Sequence, residues 1–376
     1  MSDPYHVLTS ACACDAPAEE LRDMFKQHRQ HEPQLALAFC SPKCDLEQVA
    51  EQLRGSFTCP VIGCTTAGEI IPQQGYIEHS LALLSLRSPD IEVRQYTVHD
   101  LHAFSLDDGK NLRGQILKGF GLEILDPCTM FALLIIDGLS GAEERLSSLL
   151  AWTLSPMKIV GGSTGDDLWY QNTAVYSQGR FSKGIATLTV FRTRRSFRLF
   201  RVHHFQPTET KLVITEADPL TRQICEINGY PAVEEYARLI GCSVKDLESR
   251  DQYVLHPLLI RIGGEYFVRS IFEIKGNNTL QLACALDPGT VLTLGKSGDI
   301  VGITEQVFRD ARESLGSCHL IIGFDCVQRR LEIQEKNLMQ PMNQLMQEYH
   351  FFGFSSYGEQ YQGLHINHTS TGVMLG

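Results

Sequence analysis

Three short glycine-rich turns decide the fold, and the first of them reads Val61-Ile-Gly-Cys-Thr-Thr-Ala-Gly-Glu69. The second reads Val160-Gly-Gly-Ser-Thr-Gly-Asp-Asp167, and the third reads Phe351-Phe-Gly-Phe-Ser-Ser-Tyr-Gly-Glu359. Each turn opens on apolar residues, continues through glycines and small side chains, and ends on an acid. Because these features occur together three times, we interpret the turns as one structural element used three times.

The same two elements precede each turn. A short apolar run bounded by turn residues predicts a buried strand, and the residues after it have a helical pattern. The predicted strands are Leu35–Cys40, Phe131–Ile136 and His319–Cys326, and the helical stretches lie near residues 45–53, 142–153 and 331–349. Each unit is therefore a strand-helix-strand crossover, which forms parallel sheet and places its strand ends at a ligand-facing edge. We expect at least two turns to line one pocket; the alternative is that glycine only permits a positive φ there.

A strand-rich stretch, from about residue 174 to residue 213, follows the second turn. Within it, Ile185–Phe191 alternates apolar and polar residues, which is typical of antiparallel hairpins. A helix is predicted after Asn228, with Pro231 near its first turn. We therefore predict an α/β protein of two domains, residues 1–227 and 228–376, with mixed sheets built from the repeated units plus antiparallel hairpins. We also expect the ligand pocket to lie between these domains.

Composition argues against several classes of partner. The net charge of −11 disfavours nucleic acid and anionic membranes, and the basic segment Arg192–Arg198 is short enough to be one face of a hairpin. No apolar run approaches the roughly 20 residues that span a bilayer. The N-terminal residues Met1–His6 lack the basic and apolar regions of a signal peptide. These patterns predict a cytoplasmic protein without membrane insertion, whose twelve cysteines are mostly reduced.

Motifs of enzymes are incomplete in this chain. Gly289–Ser297 has five residues between its glycines where a P-loop has four, and neither a dinucleotide fingerprint nor a nucleophile elbow around Ser163 is present. Asp166 and Asp167 are adjacent acids at a turn, which more often cap a helix than act as acid and base. Because no nucleophile is positioned beside a base, we predict that the chain is not an enzyme.

Six cysteines fall within the first 64 residues, in the spacings Cys12-x-Cys14, Cys40-x3-Cys44 and Cys59-x4-Cys64. None of these intervals is the usual spacing of a zinc site, although iron–sulfur clusters use several spacings. Two interpretations stay open. The cysteines bind an iron–sulfur cluster, or they are small buried apolar residues.

Taken in order along the chain, the motifs resemble those of the FIST sensory proteins, whose two adjoining domains are called FIST N and FIST C. The resemblance includes the three turns and the segments Val213–Ala217, Asn228–Ala232, Phe324–Arg329 and His365–Thr369, and it covers about residues 35–369. It implies a bacterial signal-input protein that binds a ligand. Among FIST proteins the chain resembles the NosP group, haem-binding nitric oxide sensors that regulate histidine kinases or cyclic-di-GMP cyclases and phosphodiesterases. Other FIST domains are thought to bind small metabolites such as amino acids.

The candidate ligand-binding residues come from the turns and from the third unit: Cys64, Thr65, Ser163, Asp166, Cys326, Arg329, Tyr357 and Glu359. A guanidinium at Arg329 can bind a carboxylate or a haem propionate through two hydrogen bonds, and the alternative for it is a salt bridge within its domain. If the ligand is an amino acid, we expect Glu359 or Asp166 to face its ammonium group.

The candidate haem ligands are His203, His204 and His256, because haem iron accepts histidine in an apolar pocket. No Cys-x-x-Cys-His motif is present, so a bound haem would not be attached through thioethers. Haem sensing of nitric oxide is our first prediction, and a metal-free metabolite sensor or an iron–sulfur sensor is the alternative. The partner and the formation of a homo-oligomer are left open by the sequence.

Overall fold

The computed structural model describes residues 5–376, except for the side chains of residues 250 and 251. Residues 1–4 of the N-terminal segment considered above lie outside this range. Over the described residues, no helix combines the length and the apolar character needed to cross a membrane.

The first repeated unit has the predicted strand-helix-strand order. Its parallel strands are buried along their whole length, because the sheet is covered on both faces. The helix between them begins after Asp45, whose carboxylate accepts a hydrogen bond from the Gln48 N–H at 3.0 Å. The elements of this region are β1 (His6–Ala13), α1 (Ala18–Gln30), β2 (Leu35–Cys40), α2 (Leu46–Ser56), β3 (Val61–Thr65), β4 (Glu69–Ile71), β5 (Gly75–Ile77) and β6 (Ser80–Arg87).

The second unit repeats the same order. The helix that precedes this unit is capped at its N-terminus by reciprocal hydrogen bonds between Ser105 and Asp108. It ends at Gly121, which adopts the left-handed conformation. The elements are β7 (Ile91–Val98), α3 (Leu106–Phe120), β8 (Met130–Ile136), α4 (Glu143–Thr153), β9 (Lys158–Ser163), β10 (Val175–Ser177), β11 (Arg180–Ser182) and β12 (Ala186–Thr193).

A predominantly antiparallel region follows. Its elements are β13 (Phe197–Val202), β14 (Phe205–Asp218), β15 (Gln223–Ile227), β16 (Tyr230–Pro231), α5 (Ala232–Ile240), a short 3-10 helix (Asp246–Glu248), α6 (Arg250–Leu255), β17 (Leu258–Ile262), β18 (Glu265–Arg269), β19 (Ile271–Lys275), β20 (Thr279–Leu282) and β21 (Val291–Ser297). The segment that resembled a P-loop is strand β21, as its sequence predicted.

The third unit differs from its prediction in one respect. The helical stretch near residues 331–349 is two helices, separated where Asn337 adopts a positive φ of 58°. Pro341 lies in the first turn of the second helix, where a missing N–H removes no intrahelical hydrogen bond. The elements are α7 (Ile300–Leu315), β22 (Leu320–Cys326), α8 (Val327–Glu335), α9 (Met339–Glu348), β23 (Phe351–Ser356), β24 (Glu359–Tyr361), β25 (Leu364–Ile366) and β26 (Ser370–Leu375).

Each unit contributes the hairpin after its turn to the sheet of another unit. Hairpin β4–β5 pairs with β23 of the third unit, β10–β11 pairs with β3 of the first, and β24–β25 pairs with β9 of the second. The exchange is cyclic, since every unit gives one hairpin and receives one. The three units are therefore interlocked by their backbone hydrogen bonds.

The α/β fold and its two domains are confirmed, but packing divides the chain differently from the predicted ranges 1–227 and 228–376. The three units share one apolar core, in which Phe39 of the first lies 4.7 Å from Phe354 of the third between ring centroids. Residues 205–297 form the sheet β18-β17-β21-β14-β15-β20-β19, which has a separate core. The predicted boundary at residue 228 thus falls inside the antiparallel domain, because the third unit packs with units that are distant in sequence.

Candidate functional site

The three turns meet in one junction. The Ala67 N–H donates to the Ser355 carbonyl at 3.0 Å, the Gly165 N–H donates to Thr65 at 3.0 Å, and the Ser163 N–H donates to Gly358 at 2.8 Å. Each turn is thereby bonded to another. The three turns are therefore in contact, but among their residues only Tyr357 lines the cleft described below, so this cleft does not meet the expectation that at least two turns line one pocket.

Glycine in two of the turns allows the neighbouring parallel strand to approach closely. A Cβ atom on Gly161 would lie 2.0 Å from the Leu134 carbonyl oxygen, and one on Gly353 would lie 1.8 Å from the Gly323 oxygen. Neither residue has a positive φ, whereas Gly68 has a φ of 117°. The positive-φ explanation therefore applies to Gly68, while the parallel strands require glycine because they leave no space for a side chain.

Most of the predicted ligand-binding residues are enclosed within the junction. Thr65 Oγ1 accepts from the Ala174 N–H at 2.9 Å, and Ser163 Oγ accepts from Gln360 Nε2 at 2.8 Å. Cys64 and Cys326 are buried, and burial raises the pKa of each thiol well above its ordinary value. These four residues stabilise the contacts between units and do not face an open pocket.

Two acids occupy equivalent places in the first and third turns. Glu359 accepts hydrogen bonds from the hydroxyls of Ser356 and Thr369, both at 2.6 Å, and Glu69 accepts from Thr66 and Ser80, both at 2.5 Å. Both carboxyls are fully buried, and burial raises the pKa of each to about 8. Glu359 is thus held by hydroxyl groups, and the structure does not place it where it would face a ligand's ammonium group.

Arg329 is not available to a ligand. Its side chain is completely buried, and it donates from Nε to Asp325 at 2.9 Å, from Nη1 to His204 at 3.3 Å and from Nη2 to Thr304 at 3.0 Å. All three nitrogens are engaged. The prediction that Arg329 binds a carboxylate or propionate is therefore wrong, and the alternative of an internal salt bridge holds, because the helical position of Arg329 lies one turn from Asp325.

His204 belongs to a second buried group. Its Nε2 lies 2.8 Å from Oε2 of Glu332, and Nε2 of His368 lies 2.9 Å from the same oxygen. Because arginine only donates, Nδ1 of His204 accepts from Arg329, and its Nε2 carries the proton donated to Glu332. Burial lowers the pKa of His204 to about 3, which keeps the imidazole neutral.

Ligand atoms of His204, Glu332 and His368 lie within 4.8 Å of one another, and two histidines with one carboxylate are a ligand set of non-haem iron. The protonated Nε2 of His204 does not fit a metal or haem ligand, however. The other oxygen of Glu332 accepts a hydrogen bond from Lys336 at 2.7 Å. The negative charge of Glu332 is therefore balanced by Lys336, and that of Asp325 by Arg329. We interpret these side chains as a charge-balanced hydrogen-bond network, and His204 is withdrawn as a candidate axial ligand.

The other two candidate haem ligands have different surroundings. His203 is partly buried, and burial lowers the pKa of its imidazole. Nδ1 of His256 donates to the Gln252 carbonyl at 2.8 Å, which leaves Nε2 as the unprotonated nitrogen. This tautomer suits iron ligation, so the haem prediction depends mainly on His256.

Cys14 and Cys44 form a disulfide, and the remaining ten cysteines are free. The set of Cys40, Cys44, Cys59 and Cys64 considered for an iron–sulfur cluster therefore loses one thiol. Burial also raises the pKa of the Cys40 thiol well above its ordinary value, which opposes the thiolate form that iron requires.

A cleft of about 320 Å³ opens beside the junction, between the three-unit body and the antiparallel domain. Three aromatic side chains line it: the Tyr170 and Tyr357 rings stack at 4.5 Å between centroids, and Phe272 meets Tyr170 edge-on at 4.7 Å. Asp166 fixes the loop that carries Tyr170, because its carboxylate accepts the Tyr170 N–H at 2.8 Å and the Gln171 N–H at 2.7 Å. The predicted residues Tyr357 and Asp166 thus help to build the cleft.

The cleft also contains charged groups from both domains. Arg222, from the antiparallel domain, donates to Glu143 at 3.0 Å and to Glu144 at 2.8 Å, both on α4. Burial raises the pKa of Glu143 to about 7, although Arg222 acts against this rise. Burial lowers the pKa of His365, which also lines the cleft, to about 4. Sequence patterns missed Arg222, Glu143 and Phe272, because none of them belongs to a motif.

Comparison with known families divides the chain close to the predicted boundary at residue 228, and not at the ends of the antiparallel domain. Residues 34–230 match the FIST N domain and residues 232–362 match the FIST C domain, so the chain belongs to the FIST family. FIST domains are signal-transduction sensor domains and not catalytic ones. The chain is also similar to "Uncharacterized protein MJ1623" of Methanocaldococcus jannaschii, with 25% identity over 169 residues. That match covers 42% of this chain and 32% of the relative, so the chain spans about a third of the relative's length.

Proposed function

We propose that this protein senses a small polar metabolite of amino-acid size, bound in the cleft between the three-unit body and the antiparallel domain. The cleft itself carries the proposal, since it combines aromatic walls with Arg222, Glu143 and His365 in one space of about 320 Å³. Ligand sites are typically about 300–1,000 Å³, mostly apolar, and supplied with a few polar groups that orient the ligand. A volume at the lower end of this range suits a small metabolite.

The position of the cleft supplies a route from binding to signalling. The ion pairs of Arg222 with Glu143 and Glu144 join the two domains across the cleft. A ligand with its own charges competes for these groups, so it changes the relative stability of domain arrangements. The output then passes to a separate partner. We retain a histidine kinase or a cyclic-di-GMP cyclase or phosphodiesterase as that partner.

Haem remains a second candidate, for the sensing of nitric oxide or of haem itself. The observation that favours it is the contact of His256 Nδ1 with the Gln252 carbonyl, which in the neutral imidazole leaves Nε2 as the acceptor nitrogen. Protein purified without oxygen after growth with iron and a haem precursor should then show a Soret band that shifts with nitric oxide and is lost in His256→Gln. A spectrum with only protein absorption would count against haem and leave the metabolite proposal in place.

The cleft can be tested by filling it. Ala283 lines the cleft, and Ala283→Trp adds bulk there, whereas Leu220→Trp introduces the same indole at a site that is 97% exposed. We expect at least one of the twenty amino acids to raise the thermal unfolding temperature of the wild type and to bind in calorimetry. Ala283→Trp should abolish this binding and Leu220→Trp should retain it. Binding that survives in Ala283→Trp, or the failure of all twenty to bind, would contradict the proposal.

A further inference from the structure

Arg269 is a buried cation with which no described carboxylate pairs. It ends β18 and is 8% exposed. Its Nη1 donates to the Val268 carbonyl at 3.2 Å, and its Nε has no hydrogen-bond partner. Among the residues whose side chains the structure describes, no carboxylate forms an ion pair with Arg269. Arg329 is buried to a similar degree, yet all three of its nitrogens are bonded.

The guanidinium of Arg269 lies near the wall of the cleft. Strand β18 packs against β25, which carries His365. Burial is the main cause of the lowered pKa of His365, and the charges of Arg222 and Arg269 lower it further. Burial raises the pKa of Cys284 to about 11, and Arg269 acts against that rise. Arg269 is therefore electrostatically coupled to two groups on this side of the cleft.

Three other buried polar atoms lack hydrogen-bond partners among the described residues: two belong to residues near His365, and one belongs to Ser270, whose carbonyl accepts the N–H of the cleft residue Ala283 at 3.0 Å. Oε1 of Gln360 and Oδ1 of Asn367 are buried without a hydrogen bond, as is Oγ of Ser270, the residue after Arg269. Gln360 Nε2 lies 3.3 Å from Nδ1 of His365. Asn367 and His365 both pack over Gly358, since a Cβ atom there would lie 2.9 Å and 2.2 Å from their side chains. Buried polar groups are normally satisfied, so these atoms indicate missing polar partners. The Ser270 hydroxyl can donate to an anion, whereas the amide oxygens of Gln360 and Asn367 only accept hydrogen bonds and suit a donor such as an ammonium group.

A buried guanidinium is costly unless an anion pairs with it. Arg222 is already paired with two carboxylates, so an anion must compete with them to bind it, whereas Arg269 has no such competitor among the described side chains. We infer that Arg269, together with the hydroxyl of Ser270, forms an anion subsite that adjoins the cleft and binds a carboxylate or phosphate group of the ligand. This inference rests on the proposed function and narrows its ligand to a small organic anion.

The test compares charged probes with a neutral one of the same shape. Glutamate, succinate, its uncharged isostere succinamide and inorganic phosphate are titrated by calorimetry at constant ionic strength into the wild type, Arg269→Gln, Arg269→Lys and Arg261→Gln. Arg261 is an exposed arginine on the neighbouring strand β17, so its variant controls for the loss of one charge. We expect an anionic probe to bind more tightly than succinamide, and Arg269→Gln to weaken that binding about 30-fold or more. The affinity of Arg269→Lys for the anionic probe should lie between those of the wild type and Arg269→Gln, and that of Arg261→Gln should match the wild type.

A second measurement needs no ligand. If Arg269 is unpaired in the free protein, Arg269→Gln removes an uncompensated buried charge, so the unfolding temperature should stay the same or rise. A decrease of several degrees would show that Arg269 is structural and would overturn the subsite.

The two proposals fail in different ways. Equal binding of succinamide and succinate that is lost in Ala283→Trp and unchanged in Arg269→Gln would overturn the anion subsite and leave the metabolite sensor intact. Failure of glutamate, succinate and phosphate to bind the wild type would also overturn the subsite. The cleft-filling test with all twenty amino acids decides the proposed function separately. Binding of phosphate but not succinate would assign the subsite to a phosphate group, and the reverse would assign it to a carboxylate.

Discussion

The hydroxyl of Tyr357, in the third turn, donates a hydrogen bond to the carboxylate of Asp166 in the second, across 191 positions of sequence. The same oxygen accepts the Leu168 N–H at 3.0 Å, and the ring stacks on Tyr170. One side chain therefore holds two turns together and forms part of the wall of the cleft. This contact connects the packing of the units to the proposed ligand site.

Removal of the Tyr357 hydroxyl should weaken both the folded state and the binding of the cleft ligand. We expect Tyr357→Phe to lower the free energy of unfolding by about 1–3 kcal/mol, because the buried Asp166 carboxylate loses a donor. Affinity for the cleft ligand should fall as well, since the Tyr170 loop is less well fixed. Urea denaturation and calorimetry measure the two effects. Tyr230→Phe is the control, at a residue that is 62% exposed, and equal stability of the two variants would contradict the role of Tyr357.

Gly353→Ala should be strongly destabilising because its Cβ would overlap the Gly323 carbonyl oxygen. We expect a loss of at least about 2 kcal/mol in the free energy of unfolding. Gly114→Ala is the matched control, since Gly114 lies inside helix α3 with no atom within 4 Å of the added Cβ. That variant should gain up to about 1 kcal/mol from helix propensity. A mild effect of Gly353→Ala would mean that the parallel strands can move apart.

Stability should fall as the solution is made alkaline. In the folded protein, burial raises the pKa of Glu69 and Glu359 to about 8, whereas each has an ordinary value of 4.5. Between these values the folded state binds protons that the unfolded state has lost, so the free energy of unfolding decreases as pH rises from about 4.5 through 8. Burial lowers the pKa of the histidines His28 and His365 to about 4. Their contribution has the opposite sign, because it makes the free energy of unfolding increase with pH between about 4 and 6.5.

Glutamine at both positions should remove most of the alkaline slope, because an amide resembles the protonated acid. The double variant Glu69→Gln/Glu359→Gln should therefore be more stable than the wild type at pH 8.5 by at least about 1 kcal/mol, given about 1.4 kcal/mol per pKa unit. Denaturation at a series of pH values provides the measurement, with Glu123→Gln as an exposed control. An unchanged slope in the double variant would show that other groups cause it.

The network around Glu332 should be sensitive to loss of its charge and insensitive to metal. Glu332→Gln leaves Lys336 without its acid and weakens the acceptor for His204 and His368, so we expect a loss of about 3–5 kcal/mol in stability. Glu335→Gln, at an exposed position of the same helix, should have little effect. Neither EDTA nor added Zn²⁺ should change the unfolding temperature of the wild type. Stabilisation by Zn²⁺ would instead indicate a metal site at this group.

Local sequence predicted the repeated elements well. Strand Leu35–Cys40 matches β2 at both ends, and Phe131–Ile136 lies within β8. Continuous apolar runs bounded by turn residues are sufficient for such predictions, since a strand covered on both faces needs apolar side chains at every position. The sequence also predicted that at least two turns line one pocket. The turns do meet, but their parallel strands lie in three different sheets, and only Tyr357 of the turn residues lines the cleft.

Tertiary structure alone decided which edges and side chains meet. A strand pattern shows that a residue is buried, but it does not specify the neighbouring strand, so the exchange of hairpins between units had no local signal. Arg329 and Arg269 illustrate the same limit. Both are buried arginines, Arg329 in helix α8 and Arg269 at the end of strand β18, and only their neighbours distinguish them. Asp325, His204 and Thr304 surround the first, while the second has no acidic partner among the described side chains. The sequence specifies that an arginine is charged. The free-energy cost of leaving that charge unpaired depends on its burial and on which groups packing brings within hydrogen-bond distance.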